Sequence, residues 1–592
     1  MLITLPFTLP ELRAAYAAGT TPADVVSEVY RRIEEVNDPA LFLHLRPEDE
    51  VLAEVDGLAT QSPDLPLWGI PFVVKDNIDV GGIPTTAACP DFTYTPDEDA
   101  FVVKQLRAAG ALLIGKTNLD QFATGLVGVR SPFGVPRNSV DPSWVPGGSS
   151  SGSGVAVGHG LVAFSLGTDT AGSGRVPAAL NNIVGLKPSL GALSATGMVP
   201  ACRTLDTISI FALSVSDAHA VFQVAAVFDP EDAYAKEMPA TATAPLGPLP
   251  SAPKIGVPTE RTREFFGDDA QARMFDAAVS ELNRAGAEII ELDFGAFYDV
   301  AAMLYEGAWV AERYAAVEPL MRDTPEALHP TTRQIIGGAE KLSAADAFRG
   351  IYRLQDLKRD TDALLAQVDL LCVPTIPTFY SLADLEADPI TPNSNFGTYT
   401  NFVNLLDLCG IAVPTGPRSD GRPGSVTLLA PSGEDAKAAS VARVFEGRAA
   451  LVDDTQVADG EMLLAVCGAH MSGLPLNHQL TSRGGRLVRA TRSSANYRLY
   501  ALAGGPPYRP GMVRTDGGAA IELEVWALPQ DTVGSFLLGI PAPLGLGSVS
   551  LEDGSTVHGF ICEASGTNGA VDITPFGGWR AYLDSQTVSA AQ

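Results

Sequence analysis

Positive charge is scarce in this chain. Its 592 residues hold 40 Lys and Arg against 69 Asp and Glu, a formal net charge of −29. A surface this acidic repels nucleic acid and anionic membrane, and a small anionic substrate then needs a local positive site. Cysteine is sparse too: Cys89, Cys202, Cys372, Cys409, Cys467 and Cys562 are spread out, with no C-x-x-C pair. That excludes a disulfide scaffold and suits a reducing, cytoplasmic compartment. With seven His, no H-E-x-x-H and no Cys/His cluster, neither a metal nor a cofactor is expected. No apolar run is long enough to span a membrane, and "MLITLPFTLPELRAAY" lacks the basic region and apolar core of a secretory signal. Charged residues make up only 18% and hydrophobic ones 46%. The chain is therefore expected to bury a large core, and its length calls for more than one domain.

What is present alternates. "TPADVVSEVYRRIEEV" (21–36) has an N-cap Thr, an early Pro and helical spacing. "WGIPFVVKDNIDV" (68–80) reads as a buried strand running into a loop, and "FVVKQLRAAGALLIGKTN" (101–118) as a helix, a Gly break and a buried strand. This alternation predicts an α/β fold. Residues 239–258 form a Pro/Ala-rich connector ending in the strand-like "KIGVP", and helices are expected from there to about 365. "VDLLCVPTIP" (368–377) reads as another buried strand. After about 458 the pattern changes to short strands and turns, which sets two expected domains, 1–457 and 458–592.

The segment "GGSSSGSGVAVGHGLVAFSLGTDTAGSGR" (147–175) carries the chemistry. A flexible linker does not fit, because the small residues flow into apolar helix-like and strand-like runs. A phosphate cradle does not fit either, because no Lys follows the second Gly of a P-loop pattern. A serine nucleophile needs a base. The only nearby His, His159, sits on an apolar stretch and reads as packed core.

Three blocks, "GIPFVVKDNIDVGGIPTT", "GGSSSGS" and "GTDTAGSGRVPAA", stand in the order and spacing of the amidase signature family, and family-like sequence covers about residues 20–450. The resemblance implies a mixed central β-sheet covered by helices and a Ser–Ser–Lys triad. By motif position Ser173 is the nucleophile, Ser149 the bridging serine after a cis peptide, and Lys75 the base. A lysine takes a proton only when neutral, so burial or nearby positive dipoles must lower the Lys75 pKa, and the apolar run before it suits burial; read without the other blocks it is an exposed lysine at a strand end. Backbone N–H groups of Thr170, Ala171, Gly172 and Ser173 are expected to form the oxyanion hole. Asp169 and Arg175 are expected to brace it.

The segment "AAMLYEGAWVAERYAAVEPL" (301–320) resembles the matching helix of the allophanate hydrolase branch, in which a Tyr and an Arg eight residues apart recognise the substrate. Here these are Tyr305 and Arg313, expected on one broad face of one helix. Arg can grip a carboxylate with two parallel bonds; the alternative is a packed Tyr and an exposed Arg. Gly125, within "FATGLVGVRSPFG", is placed in the same pocket by family position. The C-terminal stretch resembles the smaller α+β domain of that branch, similar to gamma-glutamylcyclotransferase, but "WALPQDTVGSFLLGIPAP" (526–543) lacks the Glu that cyclotransferases use. His470, and less so His478, are its candidate residues, either for decarboxylating the product or within an assembly domain. The resemblance implies hydrolysis of allophanate to ammonia and carbon dioxide in urea or cyanuric acid breakdown, by a homodimer or larger assembly, possibly with pathway enzymes. The alternatives are another small-amide hydrolase of the family, or the amidase component of an amidotransferase complex.

Overall fold

The computed structural model describes residues 2–58, 61–249, 251–447, 451 and 460–589. The chain divides into two compact units, Met1–Leu451 and Val452–Gln592. The domain boundary expected at 457/458 lies outside the described residues.

The first unit is built on eleven strands: β1 Phe42–Leu45, β2 Pro71–Lys75, β3 Leu112–Thr117, β4 Phe164–Asp169, β5 Val184–Lys187, β6 Thr207–Ala212, β7 Lys254–Pro258, β8 Glu288–Leu292, β9 Leu370–Pro374, β10 Leu408–Pro417 and β11 Pro423–Pro431. They form one mixed sheet in the order β1-β3-β2-β4-β6-β5-β10-β11-β9-β7-β8. β2 and β4 run parallel, with Val74 beside Leu166, whereas β4 and β6 run antiparallel. Every residue of β2, β3, β4, β5, β6 and β9 is buried. A strand covered on both faces has little room for polar residues, which is why β2, "PFVVK", and β9, "LLCVP", read as near-continuous apolar runs, whereas β4, "FSLGTD", and β6, "TISIFA", bury small polar residues as well.

Local signals work as expected in several places. Thr21 caps the helix Pro22–Val36 in a reciprocal capping box with Asp24. The helix Phe101–Ala108 ends before Gly110, which sits at φ +93°, and β3 follows. One expectation fails. The stretch after "KIGVP" is not helical throughout, because Glu288–Leu292 pairs in parallel with β7 as an edge strand. Its charged ends at Glu288 and Glu291 disguise it, since an edge strand exposes part of its length.

The second unit has its own core, in which Leu464, Val466, Tyr497, Leu523, Val525, Phe536 and Val549 meet. It carries a five-stranded and a three-stranded sheet. All six cysteines are free and buried. Among the described residues no helix is long and apolar enough to cross a membrane.

Candidate active site

β2 and β4 are parallel neighbours, so their C-terminal ends come side by side. Lys75 is the last residue of β2, and Thr168 and Asp169 close β4. The serine-rich segment returns over these ends as the helix Ser151–Gly158. It is stitched to β4 by Ser150 Oγ, which donates to the Thr168 carbonyl (3.1 Å) and accepts from its N–H (3.2 Å), and by Ser153 Oγ donating to the Leu166 carbonyl (2.9 Å). Most of its serines therefore hold backbone in place. Ser149, preceded by a cis peptide from Gly148, is set apart because it reaches Lys75.

Lys75 is 0% exposed, and its Nζ lies 2.7 Å from both Ser149 Oγ and Thr168 Oγ1. Neither partner is charged. Burial brings its pKa down to about 7, against the pull of Asp120, Asp206 and Asp169. A lysine in this setting is largely neutral just above neutral pH, so it can accept a proton from the hydroxyl beside it.

The loop that carries Ser173 follows β4. Asp169 organises it, accepting from the N–H groups of Gly172 and Gly174 (3.0 Å each) and pairing with Arg175 through two contacts of 3.0 Å. Both residues are fully buried, and Arg175 holds the Asp169 carboxyl below its ordinary value against the burial that pushes it up. Arg175 also donates to the Thr400 carbonyl (3.2 Å), and Asn404 Nδ2 donates to the Asp169 carbonyl (2.8 Å). Gly172 sits at φ +135°, where a Cβ would come 2.6 Å from Thr400 Oγ1, so only glycine fits.

Of the four N–H groups expected to form an oxyanion hole, one is already engaged. The Gly172 N–H is taken by Asp169, whereas the N–H groups of Thr170, Ala171 and Ser173 have no acceptor among the described residues. Ser173 Oγ donates to the Gly125 carbonyl at 3.4 Å, and no hydrogen bond joins it to Ser149 among the described residues. Of the three residues expected to form a triad, Lys75 and Ser149 are hydrogen-bonded at the strand ends, and Ser173 lies on the loop after β4 without a hydrogen bond to either. Thr170 is anchored by its hydroxyl on Asp206, which also accepts from Ala201 N (2.7 Å) and Cys202 N (3.0 Å). Burial pushes the Asp206 carboxyl up to about 6.

Gly125 adjoins the residues expected to recognise a substrate. Its neighbour Thr124 accepts from Arg130 through its carbonyl (3.0 Å) and from Arg313 through Oγ1 (3.3 Å). Arg313 is 1% exposed, and its Nε and Nη2 have no partner among the described residues; neither has the buried hydroxyl of Tyr305. The Arg313 guanidinium lies over the Tyr305 ring, 5.3 Å from its centre. The two do not share a helix, as the sequence suggested. Tyr305 lies near the end of the helix Gly295–Glu306, Gly307 is extended at φ −130° and ψ −152°, and Arg313 belongs to the helix Ala308–Asp323. The break, rather than helical periodicity, lets the arginine fold back over the ring.

In the second unit His470 is half-buried. Its Nε2 lies 3.0 Å from Gln479 Oε1, and its ring stacks on Phe560 (4.9 Å) and meets Phe536 edge-on (5.4 Å). Burial lowers its pKa. His478 Nδ1 is 2.9 Å from the Pro475 carbonyl. In the first unit His159 is half-buried at the end of the helix Ser151–Gly158, clear of the hydroxyls around Lys75.

Sequence reasoning missed Thr168, Asp206, Asp120 and Asn404. Thr168 lies within a quoted motif, and strand alternation puts it on the same face as Phe164 and Leu166, so it was within reach. Asp206 and Asn404 act across 36 and 235 residues, and nothing local marks them.

A family model described as Amidase matches residues 24–438, and one described as Allophanate hydrolase C-terminal domain matches 462–584. The chain is 44% identical over 549 residues to urea amidolyase of Saccharomyces cerevisiae, covering 88% of this chain and 30% of that protein. It therefore spans under a third of the length of that relative. It is 33% identical over 467 residues to one component of the glutamyl-tRNA(Gln) amidotransferase of Thermus thermophilus, covering 74% of this chain and 96% of that one. The structure of Kluyveromyces lactis allophanate hydrolase superposes with a TM-score of 0.71 at 41% identity, covering 98% of this chain and 100% of the other.

Proposed function

The chain belongs to the Amidase family, and from that premise we propose that it hydrolyses allophanate through a Ser173–Ser149–Lys75 triad. One observation carries the choice of substrate. A buried arginine with two unpartnered nitrogens, stacked over a tyrosine with an unpartnered hydroxyl, sits one residue beyond the carbonyl that holds Ser173. Buried donors left this way await an anion. A small ureido carboxylate fits, with its carboxylate on Arg313 and Tyr305 and its terminal carbamoyl group at Ser173.

In this reading Ser173 Oγ attacks the carbamoyl carbon, and its proton passes through Ser149 to neutral Lys75. The oxyanion is met by the N–H groups of Thr170, Ala171 and Ser173. The tetrahedral intermediate collapses, the C–N bond breaks, and ammonia leaves with a proton returned along the same route. Water then cleaves the acyl-serine by the same steps in reverse. The released dicarboxylated amine loses carbon dioxide.

Within the second unit, His470 lines a cavity of about 40 Å³ with Gln479 and Arg509, room for about one water rather than for the dicarboxylated amine, so the domain's role is read as decarboxylation or assembly, with neither favoured by this cavity. The enzyme is read as cytoplasmic and self-associating, on its unpaired cysteines and family habit. The alternative of an amidotransferase component is less supported, because the amidotransferase alignment covers 74% of this chain whereas the urea amidolyase alignment covers 88%. The test is ammonia release from fresh allophanate by the purified chain. Release by the wild type and none by Ser173→Ala establishes the reaction and its nucleophile; release from aliphatic or aryl amides but not from allophanate overturns the substrate.

A further inference from the structure

A third polar group in the recognition region has no partner. Asn401 is 6% exposed, and its Oδ1 is buried with no hydrogen bond among the described residues. It opens the short helix Asn401–Leu405, whose other asparagine behaves in the opposite way. Asn404 donates to the Asp169 and Leu205 carbonyls (2.8 and 2.9 Å) and accepts from Arg175 (3.4 Å). Asn404 is a brace with every contact inside the protein. Asn401, one turn earlier, has its oxygen left over.

Its position is tied to the chemistry. The preceding residue, Thr400, packs against Gly172 of the nucleophile loop and accepts from Arg175. The Asn401 amide also rests on Gly397, where a Cβ would lie 2.3 Å from Nδ2, so the amide has little freedom to turn elsewhere. Asn401 and Tyr305 line the same cavity, about 230 Å³ in volume, together with Ala301 and Thr398. That is ample for a ligand of a few heavy atoms beside ordered water. An unpartnered, buried amide oxygen is an acceptor waiting for an N–H. Arg313 supplies only donors.

We propose that Asn401 Oδ1 accepts the central N–H of the bound ureido carboxylate, making it a specificity residue that separates ureido substrates from their carbon isosteres. The inference rests on the functional reading above. A substrate gripped by its carboxylate at Arg313 and Tyr305, and attacked at its carbamoyl carbon by Ser173, carries one N–H between those two points. Malonamate has the same shape and charge, with a methylene in place of that N–H. Offered to the wild-type site, it leaves the Asn401 oxygen buried and unpaired, and buried polar groups deprived of their partner are the strongest source of discrimination.

The experiment measures kcat/KM for allophanate, and the turnover or competitive inhibition constant of malonamate, for wild type and Asn401→Ala. The expected result is a loss of about 10- to 100-fold on allophanate, expressed mainly in KM. Malonamate binding changes less than about twofold, so the wild-type preference between the two compounds collapses. Retained malonamate binding also shows that the variant is folded. Equal losses on both compounds, or none on either, overturn the assignment. A wild-type enzyme inert toward allophanate sinks the functional reading and this inference together, whereas an active wild type with an unchanged preference in the variant sinks the inference alone.

Discussion

The loop that carries Ser173 and the pocket around Arg313 and Tyr305 are joined through Thr124 and Gly125, yet they treat their buried side chains in opposite ways. Beneath Ser173 the bracing groups are satisfied from within: Asp169 takes two backbone N–H groups and a guanidinium, and Asn404 fills all its contacts, while the N–H groups of Thr170, Ala171 and Ser173 and the Nη1 of Arg175 stay open among the described residues. Around Arg313 the protein leaves nitrogens, a hydroxyl and an amide oxygen unpartnered among the described residues. The first pattern pre-organises a reaction, since groups already held need not rearrange as charge develops. The second stores unmet hydrogen bonds that only a ligand completes. The brace under the Ser173 loop is built from satisfied contacts, and the region around Arg313 from unsatisfied ones.

That contrast breaks first at the nucleophile. Ser173→Ala is expected to lower ammonia release from allophanate by at least about 10⁴-fold, to background, in a steady-state assay. Lys75→Met should cost about 10³-fold or more, because among the described residues no other neutral base touches Ser149. In the wild type, kcat/KM should rise with pH through a single ionisation near 7, since burial lowers the Lys75 pKa and the neutral amine is the working form. The same depression acts on stability. Between about 7 and the ordinary lysine value the unfolded chain binds the extra proton, so folding stability gains as pH rises across that window. A profile flat through pH 7 would remove Lys75 from the base role.

Arg313 and Asp169 sharpen the comparison, because both are buried but only one is internally paired. Arg313→Leu should reduce kcat/KM by about 10²-fold, through lost carboxylate binding, while leaving the melting temperature within a few degrees. Arg313→Lys should restore little, because an ammonium cannot reproduce the planar fork. Asp169→Ala leaves Arg175 buried without its partner and is expected to destabilise the fold by about 3–5 kcal/mol. Thermal melting of the two variants side by side tests the distinction, and similar melting losses would erase it. The smallest effect belongs to the other unit: His470→Ala should leave ammonia release by Ser173 within about twofold, read by initial rates.

Much of the first unit is legible from its residues. The buried strands β2 and β9 announce themselves as apolar runs, and "VVKDN" and "TAGSGR" mark the strand end that carries Lys75 and the loop that carries Ser173. What escaped did so for physical reasons. β8 is a half-exposed edge strand whose glutamates imitate a helix surface. The Gly307 break interrupts a stretch with good helical spacing, because a single glycine in a helix is a weak signal against its neighbours. Asp169's claim on the Gly172 N–H depends on a loop dihedral at φ +135° that no composition reveals. Asn401 and Asn404 are the same residue type one turn apart, and only tertiary contacts make one a brace and the other an open acceptor.

The break at Gly307 also bears on inheritance. Lys75 and the loop that carries Ser173 are locked to each other by the register of β2 against β4, so a change in one strand is felt by both. Tyr305 and Arg313 hang on separate helices joined at one extended residue, outside that register. A one-residue insertion, or a small rotation at the joint, re-aims the arginine without moving the amine from its hydroxyls. Such a molecule can acquire new substrates by small steps while its reaction is handed down unaltered, and the joint is where descendants with different diets would first diverge.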